Sequence, residues 1–228
     1  MATSGTTAFD LDIDDIIEEA YERCGVRTNS GKHLKSARRS LNIMLSEWGN
    51  RGVHLWKVEL KEQLLSAGTQ TYTAPTNAND VLEAYISTTT GTTSSTNDVS
   101  LTKISRSEYA ALPNKGSQGQ PSQYYVDRQT IPTITLYQTP DATTYTYLKY
   151  YYLKRIEDAG AYTNQADVVF RFIPCMVSGL AYYLSMKKNP QLVQQNKLLY
   201  EDELQRALTE DGQRTSVYIT PQSYFPQG

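Results

Sequence analysis

Cysteine and histidine are nearly missing from this chain, whose 228 residues hold two of each. Cys24 and Cys175 form no short-spaced pair, so there is neither a zinc motif nor a disulfide framework. They are expected as two buried free thiols. No metal-ligand spacing surrounds His33 or His54, and no serine or cysteine stands in an elbow such as G-x-S-x-G. His54, close to Trp56 at a helix end, is expected to be structural. KGSQGQP (115–121) has glycines but lacks GK[ST], so it marks a turn rather than a phosphate cradle. DLDIDD (10–15) opens like a calcium loop. Its sixth position is Asp15 instead of glycine and its twelfth is Tyr21 instead of glutamate, so helix capping is the better role. Glu201, Asp202 and Glu203 lie among leucines on a helix and suit a solvated face. A cell-wall hydrolase would need a carboxylate pair or a nucleophile with its base, and neither pattern occurs. The expectation is a protein that is not an enzyme, with no catalytic residues, no metal and no cofactor.

Long apolar runs are missing too. The most apolar stretch, 172–186, is too short and too polar to span a bilayer, so no membrane anchor is expected. MATSGTTAFDLD lacks a basic region followed by an apolar one, unlike a signal peptide. A net charge of -2 gives no global attraction to nucleic acid, so any DNA contact must be local.

Tyrosine is what the chain has in excess: 18 residues against 4 phenylalanines and 2 tryptophans. A phenol buries a ring yet keeps a hydrogen-bonding tip, which suits surfaces that are covered on assembly. Five tyrosines fall in TYTYLKYYYLKR (144–155). A strand there puts Tyr145, Tyr147, Lys149, Tyr151 and Leu153 on one face and Leu148, Tyr150 and Tyr152 on the other. Aromatics on both faces predict cover on both. At least one of Tyr150 and Tyr152 is expected to pack against the helices or a neighbouring subunit.

Periodicity divides the chain. Residues 12–24 repeat at helical spacing (Ile13, Ile16, Ile17, Ala20, Tyr21, Cys24), with Asp10 or Asp12 to cap and Gly25 to stop. Residues 30–49 form a second helix, with Leu34, Ala37, Leu41, Met44, Leu45 and Trp48 inward. Its outer side carries the cluster KSARRS. Lys35, Arg38 and Arg39 could contact phosphate; the favoured reading is a subunit or partner interface, or pairing with Glu18, Glu19 and Glu22 of the first helix. From 55 to about 153 the period is two. Strand candidates are LWKVELKEQLL, TQTYTA, VLEAYIST, VSLTKIS, SQYYVDR, PTITLYQT and the tyrosine-rich run, with SRSEYAAL as a short helix among them. Helical patterns return at 167–187, with Pro174 in the first turn, and at 191–211. Two helices cannot bury a core alone. The expected fold is therefore α+β: a four-helix bundle from the N- and C-terminal helix pairs, with an inserted antiparallel β sandwich or barrel. Its parts are 1–54, the first helix pair; 55–160, the β domain; 161–212, the second helix pair; and 213–228, an extended tail. In that tail Val217, Tyr218, Ile219, Tyr224 and Phe225 are candidates to dock on a partner.

The order of these features resembles the head-to-tail adaptors of short-tailed bacteriophages, the tail tubular protein A-like family. The resemblance is carried by ARRSLNIMLSEWGNRGVHLWKVE (37–59), QTYTAPTNANDVLEAYI (70–86), GQPSQYYVDRQTIPTITLYQTPDATTYTYLKYYYLKR (119–155), FIPCMVSGLAYYLSMKKNP and LYEDELQRALTEDGQRTS. It implies a structural virion protein, made in the host cytoplasm, that forms a dodecameric ring between the portal protein and the tail nozzle. Double-stranded DNA passes through that ring during ejection, and tail fibres are a further partner. The tail residues Val217 to Phe225 would then bind the portal. The threonine-rich TTTGTTSSTND (88–98) has no counterpart in the family pattern. The alternative is a monomeric module that binds single-stranded nucleic acid or glycan on aromatic and basic side chains.

Overall fold

In the computed structural model the described residues are Gly5, 11–27, 31–51, 55–91 and 97–212. Helix α1 (Ile13–Arg23) begins at Asp12, whose backbone N–H donates to Asp15 Oδ2 at 3.3 Å. Its next free donors, Ile13 N and Asp14 N, bond to the carbonyls of Asn164 and Tyr162, so a distant segment completes the cap. Gly25, at φ +68°, takes the left-handed turn that ends the helix. Helix α2 (Gly31–Asn50) follows, and a 3-10 turn (Leu55–Lys57) leads into the strands.

Strands β1 (Val58–Leu64), β10 (Tyr147–Lys154), β3 (Ala78–Ser87) and β4 (Asp98–Ser100) pair antiparallel in that spatial order. A second sheet runs β2 (Thr71–Thr73), β8 (Thr133–Tyr137), β7 (Gln123–Asp127), β5 (Thr102–Ile104). Strands β6 (Gln118–Gly119) and β9 (Thr139–Pro140) make a small third pair, and helix α3 (Arg106–Ala111) follows β5. Ser105 caps α3, with Glu108 N to Ser105 Oγ at 3.2 Å and Ser105 N to Glu108 Oε2 at 2.7 Å. The two large sheets share one apolar cluster: Val81, Ile86, Leu148 and Tyr150 from the first, Tyr124, Ile134 and Leu136 from the second.

A 3-10 turn (Phe170–Phe172) opens α4 (Ile173–Lys188), and another (Pro190–Leu192) opens α5 (Val193–Asp211). Helix α4 touches α1, α2 and α5. Residues 175–181 of α4 are buried without a break, which leaves it little amphipathicity. Gly179 lets two neighbours close in. A Cβ there would lie 2.5 Å from Met44 Sδ and 2.7 Å from Tyr200 Cε2. Residues from the N-terminal and C-terminal helices thus form one cluster, separate from the sheet core, with Trp48 donating to Tyr200 Oη at 2.8 Å.

The fold is mixed α+β, as expected, and three local features differ. VSLTKIS is two strands: Leu101 is buried and the chain crosses there from the first sheet to the second, where β5 runs parallel to β7. Residues 167–169 are not helical, because 156–168 form a strap between β10 and the helices. Arg38 donates to Gly160 O, Asn42 Oδ1 accepts from Ala159 N, and Lys57 pairs with Asp167 of this strap. Glu201 and Glu203 are not merely solvated. Glu201 takes a two-pronged bond from Arg51 at 2.7 and 3.0 Å, and Glu203 accepts from Ser178 Oγ.

Both thiols are buried and free, and burial pushes Cys175 up to about 12. Burial also pushes the phenols of Tyr124, Tyr150, Tyr152 and Tyr200 up to about 12, from an ordinary 10.0. For Tyr152 the neighbouring Glu59 adds to the rise. The folded chain holds these protons to higher pH than the unfolded chain does. Their stabilisation is therefore complete below pH 10 and is lost as pH rises towards about 12. Thermal melts with tyrosinate absorbance should show a falling melting temperature across that window; a flat profile would refute it.

Candidate functional site

The candidate surfaces lie on the helices. On α2 the apolar stripe turns inward, which leaves Lys35 and Arg39 exposed one turn apart. One turn further Ile43 is 52% exposed, an apolar side chain on the polar stripe. With Tyr183 of α4 these residues line an open groove of about 620 Å³. Lys187 adds charge beside it, donating to Ser40 Oγ at 2.7 Å. Its pKa is lowered by burial and by the neighbouring charges of Arg39 and Lys188.

The three cations of KSARRS do not act alike. Arg38 is half-buried and committed to its own chain, donating to Gly160 O at 3.0 Å and lying 5.3 Å over the Tyr162 ring. Lys35 and Arg39 have no hydrogen-bond acceptor or ion-pair partner among the described residues. The expected pairing of this cluster with Glu18, Glu19 and Glu22 is not made: Glu19 pairs with Arg23 at 2.9 Å within α1. The reason is that α1 turns its acids towards the start of α4. There Asp15, Glu18, Glu19 and Glu22 rim a second groove of about 620 Å³, which also includes Arg23, paired with Glu19, and Leu11, Ile173, Pro174 and Val177.

Tyr150 and Tyr152, expected against the helices or a neighbouring subunit, lie instead in the core between the two sheets, at 0% and 5% exposure. Their face of β10 is turned to the second sheet. Tyr152 Oη donates to Glu59 at 2.7 Å, and the ring of Tyr150 meets that of Tyr152 edge-on at 6.2 Å. Of the five tyrosines in this run only Tyr151 is exposed, at 36%. Val217, Tyr218, Ile219, Tyr224 and Phe225 lie outside the described residues, as does His54. His33 stacks on Tyr21 at 5.9 Å and belongs to the helical packing.

Sequence reasoning missed Lys149. It is 2% exposed on the other face of β10, where its ammonium donates to Gly91 O and lies 3.1 Å from Asp98. Glu62, 3.9 Å away, also accepts from Gly91 N at 2.7 Å. A buried lysine needs such partners. These ones flank the threonine-rich loop and fix both of its ends. The available signal was a lysine amid tyrosines, facing Glu62 across the β1–β10 ladder.

Among the described residues no three His, Cys, Asp or Glu side chains converge as a metal site, and no helix is long and apolar enough to cross a membrane. Both grooves are open and rimmed by charged side chains. Over residues 7–223 the chain matches the SU10 adaptor protein family, and it belongs to that family of phage adaptor proteins. Membership makes it a component of the virion that contacts other virion proteins. No curated protein matches it significantly.

Proposed function

We propose that this chain is the head-to-tail adaptor of a short-tailed phage. It forms a dodecameric ring between portal and tail nozzle and surrounds the path of the DNA. The observation that carries this reading is the family match, which spans both helical regions and the whole of the intervening β region. The shared helical core supports a four-helix body, divided as 1–54 and 161–212, and the sheet core supports a β domain within 55–160 that faces the nozzle or fibres, although Trp56, Ile156 and Ala159 pack with the helices. The role is structural rather than catalytic. The alternative, a stacking platform for single strands or glycans, loses its main support because Tyr150 and Tyr152 are inside the β core.

The tail 213–228 is the proposed portal-binding element, through Val217, Tyr218, Ile219, Tyr224 and Phe225. Its alternating β-forming and aromatic residues suit addition to a partner's sheet or groove. Electron micrographs of the protein mixed with portal from the same phage should show a ring capping the portal. A chain ending at Gly212 should keep the thermal melt of the full chain and fail to cap. Free portal alongside the intact protein would overturn the adaptor reading; capping by the shortened chain would overturn the role of the tail.

A further inference from the structure

The two charged grooves complement each other. One carries Lys35, Arg39 and the exposed Ile43 along α2, with its acid, Glu47, paired to Arg51. The other carries Asp15, Glu18 and Glu22 along α1, with an apolar patch at the helix start where Leu11 is 38% exposed and Pro174 is exposed. We propose that the basic stripe of one copy of this chain docks into the acidic groove of the next. This inference rests on the ring reading and names the contact that would build the ring.

Four observations carry it. First, Glu18, Glu22, Lys35 and Arg39 have no ion-pair partner within the described chain, although both signs lie on neighbouring helices. Second, the grooves share no residue, so one copy offers two different surfaces, as a head-to-tail contact requires. Third, the charged groups share one spacing: Lys35 and Arg39, like Glu18 and Glu22, stand four residues apart, about 6 Å along a helix. Fourth, the order of chemistry fits an antiparallel crossing. Ile43 closes the basic stripe at its C-terminal end, and the apolar patch opens the acidic groove at its N-terminal end. With α2 of one copy antiparallel to α1 of the next, Lys35 faces Glu22, Arg39 faces Glu18, and Ile43 comes level with Asp15, at the end of the groove that Leu11 and Pro174 line. An apolar contact at one end and pairs of opposite charge at the other fix one register and disfavour the reverse. Within one chain the same groups do not pair: Arg38 is anchored to the strap, and the acids of α1 line a groove with the start of α4.

The test is sedimentation velocity of the full chain at low salt over a rising concentration series. It uses three variants: Lys35→Glu with Arg39→Glu, Glu18→Lys with Glu22→Lys, and Ile43→Ser. All five positions are exposed, and unchanged thermal melts would establish that each variant is folded. The wild-type chain should self-associate, and salt should weaken the association. Each charge-reversed variant alone should bind itself weaker on the order of tenfold or more, since like charges then meet. Their equimolar mixture should recover association, because one variant presents two acidic faces and the other two basic ones, and they can alternate. Ile43→Ser should weaken association without changing its dependence on salt. Three results would overturn the inference: a wild-type chain that stays monomeric throughout, variants that associate like wild type, or a mixture that fails to recover. None of these bears on capping of the portal, which separately decides the adaptor reading.

Discussion

Trp48→Ala is expected to destabilise the protein by about 3–5 kcal/mol, the usual cost of truncating a large buried aromatic. That is a large share of a total that runs roughly 5–15 kcal/mol for folded proteins. The indole is fully buried, tilts against the Phe172 ring at 5.8 Å, and donates to Tyr200 Oη at 2.8 Å. It therefore ties α2 to α5 and to the entrance of α4. Denaturant titration followed by circular dichroism should show the midpoint shifted and the helical signal lost in one transition. A single transition follows from the shared cluster, which draws on Ile13 and Ile17 as well as Leu180 and Leu204. Separate loss of N-terminal and C-terminal helices would contradict a common core. Trp48→Phe keeps most of the volume and leaves a buried phenol with one partner fewer, a smaller cost of about 1–3 kcal/mol.

Tyr150 should matter through its ring and hardly through its hydroxyl. Tyr150→Ser is expected to cost about 3–5 kcal/mol, since it empties an aromatic site at the centre of the sheet core. Tyr150→Phe should stay within about 1 kcal/mol of wild type, because the hydroxyl has no hydrogen-bond partner among the described residues and so little to lose. Urea unfolding monitored by tyrosine fluorescence would separate the two. Any loss of ring assembly in Tyr150→Ser should follow the loss of folded protein. A variant that folds as well as wild type yet fails to assemble would return Tyr150 to a subunit interface.

Local features were legible because their causes are local. The 3.6-residue spacing of Ile13, Ile16, Ile17, Ala20 and Tyr21 marked α1 within a residue at each end, and Gly25 marked its stop. Pro174 belongs in a first turn, where its missing N–H costs nothing, and α4 begins at Ile173. Alternation in the tyrosine-rich run puts Leu148, Tyr150 and Tyr152 on one face of a strand, and β10 turns that face into the sheet core. The two grooves were only half visible. The basic cluster stood out, but Ile43 within it did not, and the acids of α1 looked like its partners.

What the sequence determined by itself is the succession of periods, helical then alternating then helical, and the faces those periods define. Burial of an apolar stripe or an alternate face follows from residues a few positions apart. The tertiary structure alone decided what each face meets. Tyr150 faces a second sheet, Arg38 reaches the strap at Gly160, and α4 lies against α1, α2 and α5. It also decided that Leu101 carries the chain from one sheet to the other, and that Lys149 is buried between Asp98 and Glu62. The reason is physical. A side chain's spacing names the face it shares, but its partner comes from wherever the rest of the chain packs, and in this fold those partners lie many residues away.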